Sequence, residues 1–329
     1  MLVLILLLKP AKKDVQPASL ARQIVRLDPA GTIVFLPATI CLILALQWGG
    51  LEYPWGDGRM IALFVVMGVL YIAFAAIQIW RGDDATIPPR IIKQRSVAFA
   101  ALSSVFIGGT LIAMTVYLPL WFQAVKGTSA YQAGIDTIPL VLALVLASIL
   151  SGIITSKTGY YMPWLYVSVV LCAVGAGLMT TFEVDTSQAR WIGYQVLFGF
   201  GLGCGMQKQS LAAQTVLSQK DVPTGVSIMF FTQTLGGSII VSIAQSLFVN
   251  DLSDKLPRIS GIDVHAILSG GATDLVKTVS PDKLPEVLSQ YNDSLILTFY
   301  VVVVTSCIMV LPNLGMEWKS VKQAKALSD

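Results

Sequence analysis

Two ionisable side chains interrupt long apolar stretches of this sequence and are the first candidates for chemistry. Lys208 lies roughly two-thirds of the way along the stretch 191–216. Its ammonium group either reaches the nearer membrane surface or lines an inward-facing cavity, where it would steer anions or substrate. Asp136 lies near the start of the stretch 132–155. It is either a surface acid stabilised by the helix dipole or a group that takes part in proton movement.

Neutral polar and aromatic side chains within the apolar stretches are the second set of candidates. Amide groups bind neutral or variable ligands as readily as they join one helix to another. Aromatic rings pack in cores and at membrane surfaces as well as against ligands. Together with Lys208, the side chains expected to line a substrate path are Tyr117, Gln123, Gln195, Phe231 and Gln233.

The sequence lacks the motifs that would indicate covalent chemistry. It has no nucleotide-binding loop, no G-x-S-x-G or H-E-x-x-H motif and no paired carboxylates within an apolar stretch. The single histidine, His265, lies in the longest loop, and the four cysteines lie in apolar stretches at no metal-binding spacing. We therefore expect neither an enzyme nor an ATP-driven pump, and no metal, cofactor or nucleic-acid partner.

The composition indicates the environment of these residues. The chain has 329 residues, of which 55% are hydrophobic and 12% are charged, whereas a soluble domain has about a quarter charged residues. An all-α, polytopic membrane protein is therefore expected, with the lipid bilayer as its surroundings. Eight stretches are long and apolar enough for transmembrane helices, at approximately 30–48, 59–80, 97–124, 132–155, 162–182, 191–216, 223–249 and 294–312.

Small residues mark the places where these helices are expected to meet. In the stretch 223–249, small polar residues recur every four positions beside a pair of glycines. Such residues let two helix backbones approach closely in a membrane. They form either a fixed contact or one along which a transporter helix slides. The residues expected to act in helix packing or conformational change are Gly199, Gly203, Gly236, Gly237, Ser238 and Ser242.

The distribution of lysine and arginine predicts the orientation. Alternate loops and the C-terminal tail hold 14 of the 22 basic residues, the opposite loops hold 7, and Lys208 is the remaining one. The first set is expected to be cytoplasmic, which places both ends of the chain in the cytoplasm and the loop 250–293 outside. Asn292 matches a glycosylation pattern, but it adjoins the membrane and is not expected to be modified.

Several stretches form a pattern when they are taken together in chain order. They are Leu27-Asp28-Pro29-Ala30-Gly31, Tyr117-Leu118-Pro119-Leu120-Trp121-Phe122-Gln123, Gly199-Phe200-Gly201-Leu202-Gly203 with Ala212-Ala213-Gln214, and Phe231-Thr232-Gln233-Thr234-Leu235-Gly236-Gly237. This pattern resembles the drug:proton antiporter family with fourteen spans, within the major facilitator superfamily, and in particular its fungal members. The superfamily loop motif G-x-x-x-D-R/K-x-G-R/K-R/K is matched in part, at Gly152, Lys157 and Gly159. Ser156 replaces its acid and Tyr160-Tyr161 replace its basic pair, so the resemblance does not extend to a gating salt bridge there.

The resemblance implies a division of the chain and a function. Residues 1–8 would be the end of a truncated helix from an absent N-terminal half, 9–29 a cytoplasmic connector, 30–96 an inserted helix pair with its loop, 97–312 the second six-helix bundle and 313–329 a cytoplasmic tail. The function implied is proton-coupled efflux of amphipathic small molecules such as drugs, toxins or secondary metabolites. Asp136, where it is not a surface acid, is the candidate for the proton-coupling group. The plasma membrane is expected, with the vacuolar membrane as the alternative. A non-transporting fragment or partner subunit, and an importer on the same fold, are the two other interpretations.

Overall fold

The regular structure of this chain is helical. The computed structural model describes residues 28–49, 52–82, 85–259 and 279–322, and no strand occurs within these ranges. The predicted helix end at 1–8, residues 9–27 of the predicted connector, and residues 260–278 of the predicted outer loop lie outside them. The helices are α1 (Pro29–Trp48), α2 (Gly58–Arg81), α3 (Pro89–Ile92), α4 (Arg95–Ala124), α5 (Ala130–Asp136), α6 (Ile138–Thr158), α7 (Met162–Met179), α8 (Gln188–Gly205), α9 (Lys208–Val216), α10 (Val222–Lys255), α11 (Leu284–Ile308) and α12 (Val310–Gly315).

Seven helical segments in the described part of the chain are long and apolar enough to cross a membrane. They are α1, α2, α4, α5 with α6, α7, α10, and α11 with α12. The prediction of an all-helical, multi-pass membrane protein is therefore confirmed, but the predicted count of eight spans is not. The sixth predicted span, 191–216, is divided into α8 and α9. Neither half alone meets the length and hydropathy of a span, because glycines and polar residues such as Gln195 dilute the apolar side chains of α8.

Local signals in the sequence explain where several helices begin and end. The Asp57 carboxylate accepts a hydrogen bond from the backbone N–H of Arg59 at 2.8 Å at the start of α2. Ser129 accepts one from the N–H of Gln132 at 3.2 Å at the start of α5. Gly159 ends α6 with a φ of 85°, a left-handed conformation that glycine adopts without steric cost. These contacts satisfy backbone groups that a helix end leaves unpaired.

The helix α4 lies at the centre of the bundle and packs against α9, α10, α11 and α12. Its buried aromatic residues, Trp121 and Phe122, contact each other with ring centroids 5.1 Å apart. Trp121 also contacts Phe182 at 4.6 Å, and Phe122 contacts Trp191 at 5.0 Å. Aromatic contacts of this kind fix the relative positions of α4, α8 and the turn that follows α7.

Glycines allow two pairs of helices to approach backbone to backbone. A Cβ atom at Gly236 of α10 would collide with the carbonyl oxygen of Val105 on α4. Cβ atoms added at Gly199 and Gly203 of α8 would collide with the carbonyl oxygens of Leu140 and Leu144 on α6. The contacts α4–α10 and α6–α8 are therefore built on small residues, as membrane helix contacts commonly are.

The other small residues expected at helix contacts also lie on α10, and Gly237 among them faces α4. A Cβ atom at Gly237 would lie 2.7 Å from Ile112 Cγ1. The hydroxyl of Ser242, which is buried, donates to the carbonyl oxygen of Ser238 at 2.9 Å. Ser238, which is half-buried, donates to that of Thr234 at 3.2 Å. Both hydroxyls thus donate their hydrogen bonds to backbone carbonyl groups of α10 itself.

The helices α1 and α2 form a hairpin that attaches to the rest of the protein through α10. The Phe35 and Phe231 rings lie 5.1 Å apart, and the Ser246 hydroxyl donates to the carbonyl oxygen of Leu46 at 3.5 Å. At the start of the hairpin, the buried Asp28 carboxylate accepts from Gln78 Nε2 at 2.8 Å. Most other side chains of α1 and α2 are not buried by protein.

Backbone and side-chain contacts join the C-terminal residues to the loop between α6 and α7. We call residues 317–322 the C-terminal segment. The Tyr161 hydroxyl donates to the carbonyl oxygen of Glu317 at 3.1 Å, and the N–H of Val321 donates to that of Gly159 at 2.9 Å. This loop is the one that matches the superfamily motif in part. One of the two tyrosines that replace its basic pair therefore holds the C-terminal segment.

Candidate functional site

A cavity lies between α6, the α8–α9 junction and α10. Its volume is about 520 Å³. Its lining combines one lysine, several amides and hydroxyls, and a set of apolar side chains. The lining residues are Gly152, Thr155 and Ser156 of α6, Met206, Gln207, Lys208, Ser210, Leu211 and Gln214 at and after the junction, Val226, Phe230 and Gln233 of α10, and Val321 of the C-terminal segment. We call this space the Lys208 cavity.

The break between α8 and α9 places Lys208 on the cavity wall. Near its end, α8 lies so close to α7 that a Cβ atom at Gly205 would collide with the Ser168 hydroxyl. The chain leaves α8 after this residue and begins α9 at Lys208. The next residue, Gln209, is buried and donates to the Ser103 hydroxyl of α4 at 3.3 Å. This contact directs Gln209 towards α4, and Lys208 lies on a different side of the helix.

Lys208 is buried without a counter-ion in the described part of the chain. Its residue is 4% exposed, and it forms no hydrogen bond or ion pair with the described residues. None of the residues that line the cavity is an aspartate or a glutamate. A buried cation is costly unless it is paired. The cavity is therefore an electropositive space with both polar and apolar walls.

The structure brings two of the predicted path residues together. Lys208 and Gln233 both line the Lys208 cavity, although they lie on different helices. Phe231, the neighbour of Gln233, lines a separate space of about 170 Å³ that also contacts Phe35 and Phe74 of the α1–α2 hairpin. Gln123 donates to the carbonyl oxygen of Pro119 in its own helix at 3.3 Å.

Two predicted path residues are buried in helix contacts away from this cavity. The Tyr117 hydroxyl donates to the carbonyl oxygen of Val241 at 3.2 Å and contacts Gln245 Oε1 at 3.1 Å, which joins α4 to α10. Gln195 is fully buried and donates to the carbonyl oxygen of Asp136 at 2.9 Å. Its side-chain oxygen has no hydrogen-bond partner among the described residues. In this conformation neither side chain faces the Lys208 cavity.

Asp136 and Asn292 have different surroundings. Asp136 is the last residue of α5 and is half-buried, and its carboxylate accepts from Gln132 Nε2 at 2.9 Å. Asn292 is buried in α11, where its amide accepts from Trp121 Nε1 at 2.8 Å and donates to the carbonyl oxygen of Phe182 at 2.9 Å. Because both its donor and its acceptor are used inside the protein, Asn292 is not accessible for glycosylation in this fold.

Sequence reasoning missed most of the cavity wall. Ser210 and Val321 received no role, and Gln214 and Phe230 were not among the expected path residues. One signal was available, since Gln207, Leu211 and Gln214 recur at the spacing of one helix face. The contribution of Val321 depends on the pairing of the C-terminal segment with Gly159, which no local pattern encodes.

Comparisons with known proteins identify similar chains. The chain is 48% identical over 318 residues to a rubrofusarin-specific efflux pump of Gibberella zeae, covering 97% of this chain and 58% of that protein. It is 48% identical over 324 residues to an MFS-type efflux pump of Trichophyton rubrum, covering 98% of this chain and 60% of that protein. It is 44% identical over 323 residues to an efflux pump of Aspergillus parasiticus, covering 98% of this chain and 63% of that protein.

These relatives are fungal efflux pumps and MFS-type transporters. The chain spans about three-fifths of the length of the curated relatives that it matches. No protein-family model matches the chain.

Proposed function

Because nearly the whole chain is similar to fungal efflux pumps, we propose that it forms part of a membrane transporter that exports amphipathic small molecules, secondary metabolites among them. The observation that carries this proposal is the Lys208 cavity, which combines a buried cation, amides and apolar side chains at a break between two helices. Interrupted helices at membrane depth are common in the binding sites of secondary transporters. Ionisable groups there are costly, so they are functional candidates by default.

We further propose that α8 and α9 together make an eighth crossing. The two helices are separated by only two residues, Met206 and Gln207. The helix α8 packs along α6 and α7, and α9 packs along α4 and α10. A bent crossing of this kind is tolerated where neighbouring helices and a cavity satisfy the interrupted backbone. With eight crossings, the charge distribution would place both chain ends in the cytoplasm.

The proposed mechanism is alternating access, in which the Lys208 cavity is one wall of a path that opens to each side in turn. Lys208 and Gln233 would contact substrate on this wall. Tyr117 and Gln195 now join helices, so they would reach substrate only if those contacts rearrange during transport. The drug:proton antiporter resemblance supports protons as the coupling ion, and we retain Asp136 as the proposed coupling group because its half-buried carboxylate lies at the α5–α6 junction.

An export assay tests the proposal. The chain would be expressed in a yeast strain without its own multidrug pumps, both by itself and joined to any coding sequence that precedes it. Release of a preloaded hydrophobic dye would be followed with and without a protonophore. We expect at least one form to accelerate release, and the protonophore to abolish the acceleration. If both forms reach the membrane and neither changes release, efflux is wrong, and uptake of the same dye becomes the next measurement.

A further inference from the structure

We propose that the Lys208 cavity selects molecules that carry one anionic group on an apolar body. This inference rests on the efflux function proposed above and names the class of substrate for that same cavity. It follows from three features of the described residues: the missing partner of Lys208, the start of α9 and the arrangement of the apolar wall.

The first feature is the lack of a counter-ion for Lys208. Two half-buried lysines in the described part of the chain, Lys126 and Lys255, have partners. Lys126 donates to the carbonyl oxygens of Val184 and Thr186 at 2.6 and 2.8 Å, and Lys255 forms an ion pair with Asp251 at 2.7 Å. Lys208 is more deeply buried than these two lysines, at 4% exposed, and it has no such partner among the described residues. An anionic ligand would supply the partner that the described residues do not provide.

The second feature is the start of α9, which adds a positive field to the same space. The helix has nine residues, and no side chain caps its first turn at Gln207. Gln207, Lys208 and Ser210 all line the cavity at this end. The start of a helix carries partial positive charge and favours anions. The dipole and the ammonium group therefore act on a ligand in the same direction.

The third feature is the apolar part of the wall, which selects against small inorganic anions. Phe230 is 59% exposed, and it lines the cavity with Met206, Leu211 and Val226. An exposed aromatic ring beside aliphatic side chains gains by covering an apolar ligand surface. The amides of Gln214 and Gln233 can hydrogen-bond the polar substituents of such a ligand. A ligand with an apolar body and an anionic group would contact the apolar side chains, the amides and Lys208 together.

A pair of probes that differ by one charge tests the proposal directly. The probes are 1-anilinonaphthalene-8-sulfonate and N-phenyl-1-naphthylamine, which share an aromatic body and differ by the sulfonate. Binding would be measured by fluorescence in zwitterionic lipid nanodiscs that hold the full-length protein. We expect Lys208→Met to weaken binding of the sulfonate at least about tenfold and to leave the neutral probe unchanged. Lys208→Arg should retain sulfonate binding.

Two further variants control for unfolding and for general charge effects. Gln214→Glu keeps Lys208 but adds an anion to the cavity wall, so it should also weaken the sulfonate selectively. It serves as the test if Lys208→Met fails to fold. Lys157→Met removes an exposed lysine at the end of α6 and should change neither affinity. Thermal unfolding of each variant would show that the comparison is made on folded protein.

The outcomes separate the proposal from its alternatives. If Lys208→Met weakens both probes equally, or neither, the anion assignment is wrong. Replacing part of the lipid with phosphatidylglycerol tests whether a lipid headgroup is the ligand. If phosphatidylglycerol abolishes sulfonate binding by the wild-type protein and not by the Lys208 variants, Lys208 binds a lipid headgroup. That result would overturn the substrate assignment. If the protein exports the neutral probe and Lys208→Met does not change binding of the sulfonate probe, the proposed efflux function stands. The proposed preference for anions is then wrong.

Discussion

Trp121 and Asn292 are 171 residues apart in the chain, and a 2.8 Å hydrogen bond joins the indole N–H of the first to the side-chain oxygen of the second. The other half of the Asn292 amide donates to the carbonyl oxygen of Phe182 at 2.9 Å. One buried side chain in α11 thus satisfies groups from α4 and from the turn that follows α7. This amide holds three parts of the bundle in register.

We predict that Asn292→Leu destabilises the bundle by about 2 kcal/mol, because it leaves a buried N–H and a buried carbonyl without partners. Adding Trp121→Phe removes one of these orphaned groups. The double variant should therefore be destabilised by less than the sum of the two single variants. Thermal unfolding in detergent would measure the three changes. Additive losses would show that the hydrogen bond contributes nothing beyond the two side chains.

The contact between α4 and α10 gives a second prediction. Gly236→Ala adds a methyl group where the carbonyl oxygen of Val105 already lies. Such overpacking costs about 1–3 kcal/mol unless the helices separate. We expect a smaller yield of monodisperse protein in size-exclusion chromatography. Gly177→Ala is the matched control, since a Cβ atom there meets nothing within 4 Å. Equal amounts of monodisperse protein from the two variants would mean that α4 and α10 can separate slightly at little energetic cost.

The ion pair between Arg90 and Asp221 predicts a dependence on pH. Arg90 donates to both carboxylate oxygens of Asp221, at 2.8 and 2.9 Å, and Ser218 donates to one of them at 2.6 Å. The hydrogen bonds from Arg90, and then that from Ser218, hold the pKa of Asp221 well below its ordinary value. A lowered folded-state pKa adds stability above the unfolded-state pKa of about 4, and this stability is lost as the pH falls towards the folded-state value.

We therefore expect Asp221→Asn to lower stability at pH 7 by about 1 kcal/mol, a modest figure because the Arg90 side chain is 53% exposed. The difference from wild type should shrink below about pH 4. Melting temperatures at pH 7 and at acid pH would measure it. Asp282→Asn, at an exposed position, should change neither value. If wild type remains more stable than Asp221→Asn at acid pH, the negative charge of Asp221 is not the source of the stability.

The position of Gln233 predicts an effect on transport without an effect on folding. Gln233→Ala removes an amide from the cavity wall and keeps the backbone that contacts Gly108. Loss of one hydrogen bond to substrate, worth about 1 kcal/mol, corresponds to a decrease in export of about fivefold. Export would be normalised to the amount of protein at the cell surface. Gln188→Ala, at an exposed position in α8, is the control. Unchanged export per molecule would remove Gln233 from the site.

Apolar runs predicted the positions of most helices closely. The predicted span 97–124 is the helix Arg95–Ala124, and 59–80 is Gly58–Arg81. In a membrane, such runs are nearly sufficient, because the backbone has to satisfy itself within each segment. The break after Gly205 was harder to predict. The sequence predicts that Gly199 and Gly203 act in helix packing or conformational change, but it does not predict that α8 ends at Gly205, where the chain lies against Ser168 of α7.

The candidate site was predicted only in part, for a similar reason. Lys208 and Gln233 stand out as polar residues in apolar stretches, so each could be found alone. Their common cavity requires Thr155 of α6 and Phe230 of α10 to face the same space. Tyr117 has the same residue-type signal, yet its hydroxyl is used between α4 and α10. The residue types along the chain do not by themselves show which helix faces meet.

We expect the α1–α2 hairpin to make the Lys208 cavity sensitive to bilayer thickness. With 20 and 24 residues, α1 and α2 are about 30 and 36 Å long, so they match different hydrophobic thicknesses. Their contact with Phe231 joins them to α10, whose neighbouring residues Phe230 and Gln233 line the cavity. A change of acyl-chain length should therefore alter sulfonate-probe affinity in nanodiscs, and Phe35→Ala should reduce that response. Equal affinities across lipid lengths would show that the hairpin tilts without moving the cavity wall. If affinity instead changes with lipid length, the thickness of the membrane helps to set the shape of the binding site.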